Sequence, residues 1–98
     1  MRIYDMSRGE GKTTKCIIEL AKNPKSILLV GNGGMKRMIV EQYRGIEDVE
    51  NRVFTPYEIE KIEQRYRYRD CDIIIDELEY VLEGLLNHRV KFATITSN

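Results

Sequence analysis

Strand-like and helix-like segments alternate along this chain, and that alternation predicts an α/β protein: a three-layer α/β/α sandwich with a mainly parallel, five-stranded sheet. Two further observations support it. The apolar runs at residues 27–30 and 73–75 have the composition of strands covered on both faces. Between the strands, apolar residues recur three and four apart, the spacing of a helix with one buried stripe. A chain of 98 residues is long enough for a single domain, spanning residues 1–98.

The elements follow in order. Residues 2–5 are short and β-prone, and residues 7–11 form a glycine-rich turn. From Lys12 the apolar positions Cys16, Ile17, Leu20 and Ala21 mark a helix that Asn23-Pro24 stops. Residues 26–31 read as a covered strand. Asn32-Gly33-Gly34 then turns the chain into a helix carrying Met35, Met38, Ile39 and Tyr43 on one side. Residues 52–55 are a weak strand, and Pro56 suits the first turn of a helix carrying Ile59, Ile62 and Tyr66. Residues 72–76 read as another buried strand. Leu78, Val81, Leu82, Leu85 and Leu86 make an amphipathic helix, and residues 91–96 read as the last strand.

Composition excludes several function classes. Hydrophobic residues are 42% and charged residues 33% of the chain, which fits a folded domain rather than a disordered one. Formal net charge is zero, so no global basic field draws the chain onto nucleic acid. The apolar runs are too short to span a membrane, and the first five residues lack the pattern of a signal peptide. Cys16 and Cys71 are far apart, and the chain has one histidine. A zinc or redox cluster is therefore not expected; two free thiols in a reducing cytoplasm are.

Chemistry concentrates in two places. Gly9-Glu10-Gly11-Lys12-Thr13-Thr14 stands between the first strand and the first helix. Glycines there let backbone N–H groups converge on phosphate oxygens, and the helix N-terminus adds its positive dipole end. Lys12 can reach β- and γ-phosphates, the Thr13 hydroxyl can ligate Mg2+, and Thr14 can hydrogen-bond the α-phosphate. The second place is Asp76-Glu77, at the carboxyl end of a strand, where open α/β sheets bind ligands. Asp76 suits the metal, and Glu77 can orient and deprotonate an attacking water. A blander alternative makes Glu77 the cap of the helix that follows.

Arg65-Tyr66-Arg67-Tyr68-Arg69 is the one local basic cluster. Arginines interleaved with tyrosines suit single-stranded nucleic acid, or an arginine offered to a neighbour's γ-phosphate. A solvated helix end with inward tyrosines accounts for the same residues. Arg8 and Arg44 are further candidates, and His88 reads as a charge partner at a helix C-terminus.

The loop and the acidic pair together resemble the P-loop NTPases, and Ser7-Arg8-Gly9-Glu10-Gly11-Lys12-Thr13 is most similar to the loops of superfamily 1 and 2 helicases and viral terminases. Two positions depart from the pattern. Met6 stands where the family's first glycine falls, and Glu10 takes a place usually held by a small residue. The resemblance implies ATP and Mg2+ as ligands, slow hydrolysis, and an accessory role in DNA transactions, in the manner of a small phage protein. It also implies that residues 91–96 lie between the first strand and the Asp76 strand, with Thr96, Ser97 or Asn98 sensing the γ-phosphate. Helicases close their site with a second domain that supplies arginines. Here an oligomer or a protein partner is expected to do so. Two other readings stay open: a non-catalytic protein-binding regulator on the same scaffold, and a small nucleoside or nucleotide kinase.

Overall fold

The computed structural model describes residues 2–4, 11–58 and 70–94. Helix α1 (Lys12–Lys22) buries Ile17 and Leu20, so a single stripe holds it against the rest of the chain. It starts after Gly11, whose φ of 78° is left-handed backbone that suits glycine. It ends where the Asn23 N–H closes onto Glu19 O at 3.3 Å, just before Pro24. Strand β1 (Ser26–Leu29) follows, with every residue buried. Helix α2 (Gly33–Gln42) is opened by Asn32, whose side chain accepts the Met35 N–H at 2.9 Å.

Strand β2 (Val53–Phe54) lies between two short 3-10 turns, Val49–Asn51 and Pro56–Glu58. Strand β3 (Asp72–Ile75) and helix α3 (Leu78–Leu86) complete the described elements. The strands form one parallel sheet in the order β2-β1-β3. Leu28 stands opposite Val53 on one side and Ile74 on the other, which fixes the register.

That register sorts the side chains onto two faces. Leu28, Val30 and Val53 pack with Ile17 and Leu20 of α1 and Ile39 of α2. Ile27, Leu29 and Phe54 pack with Val81 of α3 on the other face. Helices thus cover both faces of a sheet whose centre is β1. No helix among the described residues is long and apolar enough to cross a membrane.

The expected five-stranded sandwich is not what forms. Among the described residues the sheet has three strands. Residues 2–4 and 91–94, assigned by their sequence to the first and last strands, adopt no strand conformation. No strand from residues 91–94 therefore lies beside β3, and residues 95–96 fall outside the described residues. β3 is instead an edge strand of the described sheet, and Ile73 is 53% exposed. Three consecutive isoleucines suit a covered strand, but composition does not name the neighbour that covers it. Of the helix expected from Pro56 onward, the described part is the 3-10 turn Pro56–Glu58, and Ile59, Ile62 and Tyr66 lie outside the described residues.

Arg52 is the residue whose role the sequence hides most. Its sequence position is the start of a weak strand, yet it is buried at the foot of the sheet. Its guanidinium donates to Leu20 O and Asn23 O, each at 2.7 Å, to Glu47 O at 2.9 Å and to Ser26 O at 3.0 Å. Leu20 belongs to the last turn of α1, where carbonyls lack helical partners and the dipole end is negative. Arg52 therefore caps α1 from below and ties it to β1.

Candidate functional site

α1 runs antiparallel to the strands. Its last turn meets Arg52 at the foot of the sheet, and its first turn meets Asp76 at the top. This places the N-terminus of α1 at the carboxyl end of β3, where an α/β sheet opens to ligands. The N–H groups of Lys12, Thr13 and Thr14 precede the first intrahelical bond, Lys15 N–H to Gly11 O at 3.0 Å, and have no acceptor within the helix. Gly11 carries no side chain to cap them.

Two contacts join the loop to the acidic pair. The Thr13 hydroxyl donates to Asp76 Oδ2 at 2.8 Å, across 63 positions of sequence. The Lys12 ammonium pairs with Glu77 Oε1 at 2.7 Å. The structure brings together four of the sequence-predicted residues: Lys12, Thr13, Asp76 and Glu77. Gly11 sits beside them, and Thr14 is exposed on the first turn of α1. Gly9, Glu10, Met6, Arg8, Thr96, Ser97, Asn98 and the cluster from Arg65 to Arg69 lie outside the described residues. Arg44 stands in the turn after α2, in an open hollow it shares with Lys36 and Arg37. His88 is exposed beyond the end of α3.

Asp76 is 1% exposed, and its backbone N–H is fastened to Leu29 O at 3.0 Å. Its Oδ1 is buried with no hydrogen-bond partner among the described residues. A buried carboxylate oxygen without a partner is costly. It is also what a hard cation needs. Among the described residues no group of three or more His, Cys, Asp or Glu forms a metal cage. Mg2+ fits nonetheless, since it takes one or two protein oxygens and completes its shell with water and phosphate. Thr13 Oγ and the Asp76 carboxylate are the oxygens that would hold it.

Glu77 has the left-handed φ of 62°, unusual for a residue with a side chain. It stands at the N-cap of α3, and its backbone O accepts the N–H groups of Tyr80 and Val81 at 3.1 and 3.2 Å. Its side chain makes no capping bond. Glu77 thus stands at the positive end of α3 without a side-chain capping bond, and its carboxylate reaches across to Lys12. The hydrogen bond to Glu77 holds the Lys12 ammonium above the usual lysine value, while desolvation works against it more weakly.

Cys16 belongs to the wall of this site, which the sequence reading did not anticipate. Its Sγ donates to Ile75 O at 3.9 Å. Burial pushes the thiol up to about 11, and the charge of Asp76 adds to the effect. The signal was present in the spacing, since Cys16 lies three positions after Thr13 on the inward stripe. A cavity of about 220 Å³ beside Arg52, Ser26 and Cys71 is at the foot of the sheet, away from this cluster. Comparison with protein-family models, curated proteins and solved structures gives no match to this chain.

Proposed function

We propose that the chain binds a nucleoside triphosphate, taken here as ATP with Mg2+, at the first turn of α1. The observation that supports it is the Thr13–Asp76 bond at 2.8 Å, which brings a glycine-led helix start and an acidic strand end to one point. Each group then has work suited to its chemistry. N–H groups at Lys12, Thr13 and Thr14, without an acceptor in the helix, face phosphate oxygens, with the helix dipole favouring negative charge. Lys12 neutralises the outer phosphates, and Thr13 with Asp76 holds the cation. When bound, the cation supplies charge neutralisation at the phosphates.

Glu77 is the base in this reading. Once Lys12 turns to the phosphates, the Glu77 carboxylate accepts a proton from a water on the open side of the γ-phosphate. That water's oxygen then forms the new P–O bond as the bond to the leaving diphosphate breaks. An arginine that stabilises the transition state comes from a second copy or a partner. The described Arg52 is committed at the foot of the sheet, Arg37 lies on α2 and Arg44 in the turn after it.

Calorimetric titration with ATP and Mg2+ tests the binding step. Lys12→Ala should remove measurable affinity while circular dichroism stays unchanged. Unaltered affinity in that variant would overturn the proposal. Glu77→Gln should keep binding and lower turnover by about a hundred- to ten-thousand-fold, the usual effect of losing a general base.

A further inference from the structure

We infer that Glu77 is a competitor built into the site, so that a phosphate chain is accepted only together with a divalent cation. This rests on the phosphate-site reading above and concerns its selectivity. The ammonium that a phosphate would seek is already held by a carboxylate at 2.7 Å. An incoming anion therefore gains Lys12 only by displacing Glu77, exchanging one negative partner for another. Displaced, Glu77 stands next to the Asp76 carboxylate and faces the anion that replaced it. A bare anion thus adds a third negative group to the Asp76 and Glu77 carboxylates beside Lys12, and like charges in close contact cost affinity.

A divalent cation alone does little better. It finds the unpartnered Asp76 Oδ1, but the neighbouring carboxylate is already neutralised by Lys12. The two ligands together remove both obstacles. The cation relieves the repulsion between Asp76 and the phosphates, and the phosphates draw Lys12 away. Each ligand then raises the affinity for the other by the same factor, as linkage requires.

The backbone supports this role. Glu77 holds a left-handed φ of 62° and makes no side-chain capping bond to its own helix, and its carboxylate meets Lys12 at 2.7 Å. Thr13 reinforces it from the other side, because the same first turn of α1 is bonded to Asp76.

The test is calorimetric binding of pyrophosphate alone, Mg2+ alone and magnesium pyrophosphate. The proteins are wild type, Glu77→Gln and Glu77→Gly, the glycine suiting the left-handed backbone. Wild type should bind the chelate about tenfold or more tightly than bare pyrophosphate, within the usual range of coupling between sites. Both variants should bind bare pyrophosphate roughly three- to tenfold more tightly than wild type, as expected when a competing ion partner is removed. Adding Lys12→Ala to either variant should abolish that gain. If wild type binds the chelate but neither variant gains affinity for the bare anion, the competitor idea fails and the phosphate site stands. A gain that survives Lys12→Ala also overturns it, since Glu77 would then repel anions without holding Lys12. If wild type binds neither form, both readings fall.

Discussion

Glu58 is held by two elements at once. Both of its carboxylate oxygens accept from Lys36 Nζ on α2, at 3.0 and 2.9 Å, and Oε1 also accepts the Thr55 N–H and hydroxyl at 3.1 and 3.2 Å. Partial burial disfavours its ionised form, yet the Lys36 and Thr55 hydrogen bonds outweigh it and hold the carboxyl below its ordinary value of 4.5. A depressed folded-state value stabilises the protein above about pH 4.5 and loses that contribution as pH falls through the folded value. Glu58→Gln should therefore lower Tm at pH 7, and the gap to wild type should close as pH falls below 4.5 and through the folded value. A gap that stays constant across that range would show that the pair contributes nothing through ionisation. Neither Glu58 nor Lys36 was singled out from sequence, because a pair 22 positions apart has no local signature. The same limit applies at the candidate site. Lys12, Thr13, Asp76 and Glu77 were picked out by motif and by position at element ends. That Lys12 meets Glu77 is a tertiary fact, and the spacing of residues does not carry it.

At the scale of elements, boundaries were legible wherever local chemistry set them. α1 begins at Lys12 and stops before Asn23-Pro24, and the Asn32 cap opens α2, because glycine, proline and capping side chains act on their immediate neighbours. Strands were less legible. β2 is two residues long, and residues 2–4 and 91–94 stay out of the sheet, since a strand exists only where a ladder partner does. Packing between elements was hidden as well. α3 lies against the Pro56–Glu58 turn at Gly84, where an added Cβ would come within 2.7 Å of Pro56 Cγ and 3.0 Å of Pro56 Cβ. Gly84→Ala should gain up to about 1 kcal/mol in helix propensity but incur an overpacking cost of about 1–3 kcal/mol against the rigid ring. A net loss of about 1 kcal/mol is expected, read as a lower midpoint in urea with an unchanged slope. A raised midpoint would mean that the two elements move apart freely.

For the molecule as a whole, the parallel sheet with helices on both faces was foreseen from the alternation of elements, but its extent was not. Apolar runs identified β1 and β3 as strands, while strand number and order depend on contacts that no single segment encodes. The proposed need for an arginine from outside the fold belongs to this scale. Such an arginine is worth about a thousand-fold or more in rate, so hydrolysis per molecule should rise with protein concentration or with an added partner. A fast rate that stays constant on dilution would exclude it. The two ends of α1 also differ in how they answer to salt. At the top, Lys12 is fastened to Glu77 by an ion pair whose side chains are partly exposed, and dissolved ions screen such a pair. At the foot, Arg52 is buried and fastened to the carbonyl oxygens of Leu20, Asn23, Ser26 and Glu47, out of reach of that screening. Rising ionic strength should therefore loosen this protein directionally: amide exchange quickens first at the start of α1, while the amides of β1 beside Arg52 stay slow until the chain unfolds as a whole.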